Sequence, residues 1–494
     1  MPESDHVLSP PPAFALPRLD GVLPGVRTEE FDPITVRTTY FDTPDLRLAR
    51  SGAELKHRSD EGYVVRVPNP LEKNGVIDRL VEGEASVPPA EAVDLVRSRL
   101  RTIDATPVAR LRTLRQRVAL RRLDGQPLGA VTDDEVSVLD GRRVAGRFRE
   151  VHIDLDPDAP ATLLTAITER LRAAGAGGPD PTPQLVRVLG TRALDPPDFA
   201  PVRDLAADSP AGDVVRAAIV AAAARLVGHD PVVRIGEDTE GVHQARVATR
   251  RLRSDLRTFR SLLESAWNDA LRDELRWIAG ELGAVRDADV LLERLREHAA
   301  RLAPEDQEQA RVLVKRLTDS HAEARVHLLD ALRSRRYLDL LDRLVDAAKA
   351  PQLRYPDANE PAATALPPVV AGPWKHLQTA VESLGDEPED EQLHNVRIRA
   401  KRARYAAEAV APALGKRARR YAKAVAEVQE VLGRHQDAVV AEHWLRDAAD
   451  HAGASELFAA GQLAAVERSE ASAARADFPK AWKDANAKRL RDWF

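Results

Sequence analysis

The chain contains no cysteine, which excludes disulfides, thiolate metal sites and cysteine nucleophiles and favours a reducing compartment over a disulfide-stapled secreted scaffold. Aromatic residues are scarce at 4%. Runs of apolar residues long enough to span a bilayer are missing. The opening MPESDHVLSPPPAFALP shows no basic start followed by an apolar stretch of signal-peptide length. These absences lead to the expectation of a cytoplasmic protein without membrane insertion. Charge of one sign is also lacking overall, because 73 basic and 78 acidic residues leave a net of −5, so only the placement of the cations bears on a polyanionic partner. What is present is 44% hydrophobic and 31% charged residues over 494 positions, enough for real cores and more than one core usually organises. Two or more domains are expected.

The chain changes character near residue 200. Before it, short alternating bursts read as strands and hairpins: VRTTYFDTPDLRLA (36–49), GYVVRVPNP (62–70), RQRVALRRLDGQPLGAVTDDEVSVLDG (115–141) and FREVHIDLD (148–156). Asp124-Gly125 and Asp140-Gly141 are hairpin-turn signals, since glycine tolerates the positive φ of a tight turn. Helical patches are expected near 89–100 and 161–174. After the Pro-rich junction DPPDFAPVRDLAADSP (195–210), apolar residues recur every three or four positions, as in helices. The boundaries read as 1–200 for the strand-rich domain, 201–208 for a linker and 209–494 for the helical domain. A Pro-rich interval at 351–373 reads as a linker that splits the helical domain into halves at about 209–350 and 374–494.

Those halves are copies of each other. VHQARVATRRLR at 242–253 matches LHNVRIRAKRAR at 393–404, and LGAVRDADV at 282–290 matches LGRHQDAVV at 432–440, with offsets of 151 and 150. Register kept twice implies two antiparallel bundles related by a pseudo-twofold axis. The repeated motif is H-x2-R-x3-[RK]-R-x-R. At about 100° per residue, His243, Arg246, Arg250 and Arg253 share one helix face, which Arg257 prolongs, and His394, Arg397, Lys401 and Arg404 do the same in the second copy. Acidic residues just upstream, Glu237, Asp238 and Glu240 and then Glu387 through Glu391, mark helix starts.

Residues 246–260 carry six Arg against one Asp, and 394–404 carry five basic residues and no acid, a crowding that destabilises an isolated helix. A single basic helix is ordinarily a solvated face with ion pairs from its neighbours. Two copies facing across a twofold axis would instead line one groove, and a multivalent anion with phosphate-like oxygens would offset their repulsion. Lys416 and Arg420, within a further basic cluster at 416–423, are candidates to extend it. The paired histidines are open to two readings, phosphate donors or packed hydrogen bonders, while their Arg-rich surroundings disfavour a cation. Gly283 and Gly433 suit close helix packing, with Asp287 and Asp437 pinning Arg side chains. Nucleic acid is disfavoured, because no aromatics are interleaved with the Arg rows as stacking platforms.

On these motifs the helical half resembles a CHAD domain, and the resemblance implies binding of inorganic polyphosphate, or another polyphosphorylated anion, by His243, Arg246, Arg250, Arg253, His394, Arg397, Lys401 and Arg404. The first half is similar to a CYTH domain, carried by TYFDTPDLRLARSGAELKHR (39–58), GYVVRVP (62–68), PVARLRTLRQRVAL (107–120), VTDDEVSV (131–138) and FREVHIDL (148–155). That resemblance implies an α+β multidomain protein whose N-terminal antiparallel β tunnel or barrel carries a few helices and precedes the all-α domain. It also implies inward Lys56, Arg58, Arg66, Arg110 and Arg112 gripping a phosphate chain, with metal-binding carboxylates reduced to Glu150 and Asp154. The family's first-strand E-x-E-x-K has no counterpart in VLSPPPAFALPRLDG (7–21), and PQLVRVL (183–189) lacks the late Lys. An impaired tunnel without a confident catalytic residue is therefore expected, needing no cofactor for binding. The alternative is a Mg- or Mn-dependent triphosphate or polyphosphate hydrolase. Association with polyphosphate granules follows as an expectation from the binding reading, whereas oligomeric state does not.

Overall fold

The computed structural model describes residues 6–180, 182–202, 204–450 and 453–494. The chain forms two compact units, Met1–Pro197 and Asp198–Phe494.

In the first unit a nine-stranded antiparallel sheet comprises β1 (Val7–Leu8), β2 (Val26–Glu30), β3 (Ile34–Asp42), β4 (Glu54–Arg58), β5 (Gly62–Asn69), β6 (Gly75–Val81), β7 (Thr106–Arg122), β8 (Pro127–Asp140) and β9 (Arg143–Leu155). Its order is β1-β9-β8-β7-β3-β4-β5-β6, with β2 also on β7. The helices are α1 (Arg47–Arg50), α2 (Ala90–Leu100), α3 (Ala161–Ala173) and α4 (Gln184–Leu189). Gly125 at φ 93° and Gly141 at φ 59° turn the two long hairpins, as the Asp-Gly pairs require. Apolar residues of β7 to β9 pack on Leu163, Ile167 and Leu171 of α3, and those of β3 to β5 pack on Ala92, Val96 and Leu100 of α2. β1 is a two-residue edge strand, because prolines 10–12 follow it and cannot donate to a ladder. PQLVRVL does not extend the sheet: Pro183 caps the short helix α4.

The second unit is helical: α5 (Ala211–Ile235), α6 (Thr239–Thr258), α7 (Ser265–Ala299), α8 (Pro304–Arg333), α9 (Arg335–Lys349), α10 (Ala362–Ala365), α11 (Pro367–Glu382), α12 (Asp390–Leu414), α13 (Lys416–Ala449) and α14 (Ala454–Ala485). The sequence offset maps α6 onto α12, α7 onto α13 and α8 onto α14. The halves do not keep separate cores: Val242, Leu252 and Leu256 of α6 join Val396, Ala403 and Val410 of α12 in one apolar cluster. A second cluster ties the far ends of α7 and α8 to those of α13 and α14. The 351–373 interval is only partly a linker, since α11 begins inside it at Pro367, where a proline at the first helical position forfeits no helical hydrogen bond.

The turn into α6 is fixed by a buried pair. Arg234 Nε donates to Asp230 Oδ1 at 2.6 Å with side chains 1% and 0% exposed. The Tyr337 hydroxyl donates to Asp230 Oδ2 at 3.0 Å, and Arg234 also donates to the Leu332 carbonyl. Gly236, at φ 74°, then ends α5 beneath the Arg325 guanidinium, which donates to the Val233 and Arg234 carbonyls. A Cβ at Gly236 would lie 1.9 Å from Arg325 Nη2, so no other residue fits there without displacing that side chain. Replacing Asp230 by Ala strands a buried guanidinium and is expected to lower stability by about 3–5 kcal/mol, against about 1 kcal/mol for Tyr337→Phe. Urea titration followed by helical circular dichroism measures both; equal effects would show that the ion pair does not hold this turn.

Candidate functional site

The repeated motifs lie in the opening turns of α6 and α12. Asp238 caps α6 by accepting from the Glu240 amide at 2.7 Å, and Glu389 with Gln392 forms a capping box on α12. Val242, Ala245, Thr249, Leu252 and Leu256 are buried on α6. His243, Arg246, Arg250, Arg253 and Arg257 each follow one of these by a single position, so the cationic row runs beside the apolar row, rotated by about 100°. Arg257 is exposed and the rest are half-buried.

The neighbouring helices repeat one arrangement twice. The Arg246 guanidinium lies over Gly283 of α7, where a Cβ would come within 2.3 Å of Nη1, and Nη2 meets Asp287 Oδ1 at 2.9 Å. Arg397 lies over Gly433 of α13 in the same way, 3.7 Å from where a Cβ would be. Asp437, the copy of Asp287, is pushed up by burial and drawn back by Arg397, Arg294 and Lys401. His394 Nδ1 sits 2.5 Å from Gln436 Oε1, whereas His243 faces Arg286, the residue that replaces Gln436 in the first copy. Burial, then Arg286 and Arg250, hold His243 below its usual value.

The two rows meet. Lys401 is pushed down to about 7, first by burial and then by the charges of Arg397, Arg250 and Arg246, two of which come from the other half. Burial, Arg250, Arg286 and Arg397 likewise depress Arg246 against the pull of Asp287. Among the described residues Arg250, Arg397 and Lys401 have no ion-pair partner, and the buried Nε donors of Arg250 and Arg397 have no acceptor. Orphaned donors on charged groups are costly. Arg404 is placed differently: its Nε donates to Glu408 at 2.7 Å, and Glu408 also binds Arg251 of α6. Lys416 and Arg420 are exposed on α13, about 25 and 20 Å along the helix from Gly433 at 1.5 Å per residue. The structure does not bring them to the cluster.

In the sheet unit, strand register decides which side chains share a face. Lys56 and Arg58 pair with Tyr40 and Thr38, and Thr38 pairs with Leu111, so the β7 residues on this face are Leu111, Thr113 and Arg115. Arg110 and Arg112 point the other way and are exposed, which corrects their expected inward orientation; a shift of one residue reverses every side chain in a strand. Four cations on that face already hold carboxylates: Lys56 with Glu54 at 2.9 Å, Arg58 with Asp60 at 2.8 Å, Arg66 with Asp78 at 2.8 Å and Arg115 with Asp134 at 2.7 Å.

Residues 217–446 match the model of the CHAD domain and residues 9–181 that of the CYTH domain. Uncharacterized proteins of two Mycobacterium tuberculosis strains, CDC 1551 / Oshkosh and H37Rv, are each 31% identical over 506 residues, covering 96% of this chain and 95% of theirs. The chain belongs to the CYTH–CHAD family. Among solved structures, PptA from Streptomyces chartreusis is 28% identical, with 56% of this chain and 100% of that one covered and a TM-score of 0.48. The CHAD domain from the plant Ricinus communis is 29% identical, with 58% and 97% covered and a TM-score of 0.47.

A divalent metal, which CYTH membership implies, does not fit the residues of this CYTH unit. Glu150 accepts from Gln184 at 2.9 Å and meets Arg187 at 3.1 Å and His152 at 3.6 Å, so its oxygens are committed to donors. Asp154 is exposed, and among the described residues no group of three or more acids and histidines is gathered to hold a metal ion. In the CHAD unit Arg286 and Arg402 stand inside the repeated motifs without having been assigned to the site, and Arg272 of α7 lies outside them.

Lys401 supplies a test of the strain in the free site. Its folded value of about 7 lies below the ordinary 10.5, so between those pH values the unfolded chain holds the extra proton and stability rises with pH. Below about pH 7 the penalty is present in full. Lys401→Met is expected to raise the melting temperature of the ligand-free protein at pH 6 by roughly 2–4 °C, with the gain fading by pH 10. Thermal melts across that range check it; a loss of stability at pH 6 would show that the charge at 401 is compensated.

Proposed function

We propose that the CHAD unit binds inorganic polyphosphate, or a closely related linear polyphosphorylated anion, in a basic groove where the α6 and α12 rows meet. One observation carries the reading: buried Nε donors of Arg250 and Arg397, one from each half, lack acceptors beside a lysine that both halves depress. Guanidinium forks match phosphate oxygens bidentately, and successive phosphates at short, regular spacing suit cations repeated along two helices. His243 and His394 begin the rows as donors, Arg246 and Arg397 follow, and Asp287 holds the Arg246 guanidinium in place. A rigid aromatic platform for bases is not part of this surface, so RNA is expected to compete poorly.

The CYTH unit is assigned a degenerate, non-hydrolytic role, because Lys56, Arg58, Arg66 and Arg115 are paired internally and Glu150 is committed to donors. The protein binds without a cofactor and works away from a bilayer; among the described residues no helix is long and apolar enough to cross one. A cytoplasmic setting, where polyphosphate granules form, suits such a ligand.

Calorimetry with long-chain polyphosphate tests the groove. Changing Arg246, Arg250, Arg397 and Lys401 together to Glu is expected to abolish binding, and unchanged affinity would place the ligand elsewhere. Because bound phosphate restores the charge on Lys401, binding at pH 8 should take up a proton that Lys401→Arg eliminates, read from heats in buffers of different ionisation enthalpy. Phosphate release from tripolyphosphate with Mg²⁺ or Mn²⁺ is expected to stay at the buffer rate; release that Glu150→Gln removes would make the CYTH unit an active hydrolase.

A further inference from the structure

The twofold repeat predicts that contacts between α6 and α12 come in matched pairs, residue with copy and copy with residue. Arg251 of α6 corresponds to Arg402 of α12, and Arg257 corresponds to Glu408, both at the offset of 151. Arg251 meets Glu408, so the symmetric position opposes Arg257 to Arg402. One side of the axis is therefore a closed salt bridge and the other an uncompensated pair of arginines.

The surroundings diverge in the same sense. On the closed side Glu408 also accepts from Arg404 at 2.7 Å, and Arg251 and Arg404 both lie over the Tyr405 ring, at 5.5 and 5.6 Å. On the open side Arg253, the copy of Arg404, has no carboxylate within ion-pair distance among the described residues, and neither has Arg257 nor Arg402. Arg272 and Arg276 of α7 reinforce that side, where the offset of 150 puts Ala422 and Ala426 in the second half. Arg272 is held by Asp269 at 3.2 Å, but its buried Nε lacks an acceptor; Arg276 pairs with Asp273 at 2.9 Å on the surface. Burial and then the neighbouring guanidinium groups push Arg257 down to about 10, the effect of cations held together without an anion.

We infer that the duplicated groove is polar in direction: a polyphosphate chain leaves the central Arg246–Arg250–Arg397–Lys401 cluster over Arg253, Arg257 and Arg402, while Glu408 closes the equivalent exit in the other half. This rests on the binding function proposed above and adds to it the register in which a long anion lies. Glu408 is thus a specificity-determining residue, an acid where the repeat would otherwise supply a cation. Short anions fit the centre alone and are indifferent to either arm.

The experiment compares the full chain with Arg257→Gln/Arg402→Gln, with Arg404→Gln and with Glu408→Gln, using long-chain inorganic polyphosphate and tripolyphosphate as probes. The open-arm double variant is expected to lose about tenfold in long-chain affinity, with a shallower salt dependence, and to keep tripolyphosphate affinity. Arg404→Gln should stay within about twofold on both probes. Glu408→Gln frees Arg404, while Arg251 keeps its pair with Asp255, and should strengthen long-chain binding several-fold, provided that its melting temperature stays above the assay temperature. Equal long-chain losses for the Arg257/Arg402 and Arg404 variants would overturn the directional arm while leaving the groove intact. Wild-type protein that binds neither probe would overturn the groove itself, and the two failures are distinguishable.

Discussion

Like-charge repulsion between two copied rows of cations is the constraint that the helical unit is organised around. Left alone, α6 and α12 would separate, since each brings several half-buried guanidinium groups toward the other. They stay together because the apolar row one step round each helix is buried in a single core shared by both halves. The same hydrophobic burial that stabilises the fold therefore concentrates positive charge. Lys401 records the result: a lysine is held at about 7 because burial and three arginines act on it together. A site strained in this way gains most from an anion, since the ligand removes repulsion in addition to making hydrogen bonds.

Glycine and aspartate on the partner helices make that concentration possible without disorder among the side chains. A residue with a Cβ at 283 would occupy the space of the Arg246 guanidinium, and Asp287 then fixes its orientation. In the second half Gly433 lies under Arg397 with room to spare, and Asp437 acts on Arg397 and Lys401 through its charge without pairing with either. One carboxylate per half is too few to neutralise the rows, so these acids orient cations without cancelling them. The backbone arrangement is nearly symmetric, but the polar layer on it is not, and the difference is concentrated at Arg257 and Glu408.

Much of this was legible in the sequence because it depends on period and repetition. The helical step of three and four residues put His243, Arg246, Arg250 and Arg253 on one face, and two matched motifs at nearly one offset implied that the faces meet. Pairing between side chains left no such trace. Arg404 follows the motif as faithfully as Arg253, yet its charge goes to Glu408, four residues on and outside the matched segment. Lys416 and Arg420 looked like an extension of the site because they are near it in sequence, but the turn at Gly415 sends α13 back antiparallel, with these residues at the far end from Gly433. In the sheet, alternation fixed which residues of β7 share a face, but not which of the two faces is enclosed. That is set by cross-strand register, which put Leu111 with Arg58 and turned Arg110 and Arg112 outward.

The two units treat similar materials in opposite ways, and the contrast explains why one is read as a binding site and the other is not. Both are rich in arginine and both bury part of it. In the CYTH unit each of Lys56, Arg66 and Arg115 is matched by a carboxylate on the same or an adjacent strand and Arg58 by Asp60 in the following turn, so these charges are satisfied within the fold. A phosphate entering there would have to displace acids that are themselves held by the sheet, and each displaced acid would then repel it. Strand geometry favours this outcome, because directly opposed residues stand close enough for ion pairs along the whole ladder. Helices α6 and α12 present cations at intervals of three and four residues with no opposing strand to supply acids. Apart from the same-helix pairs Arg404–Glu408 and Arg251–Asp255, their compensation must come from a neighbouring helix or from a ligand, and on the Arg257 side the neighbouring helix supplies more arginine.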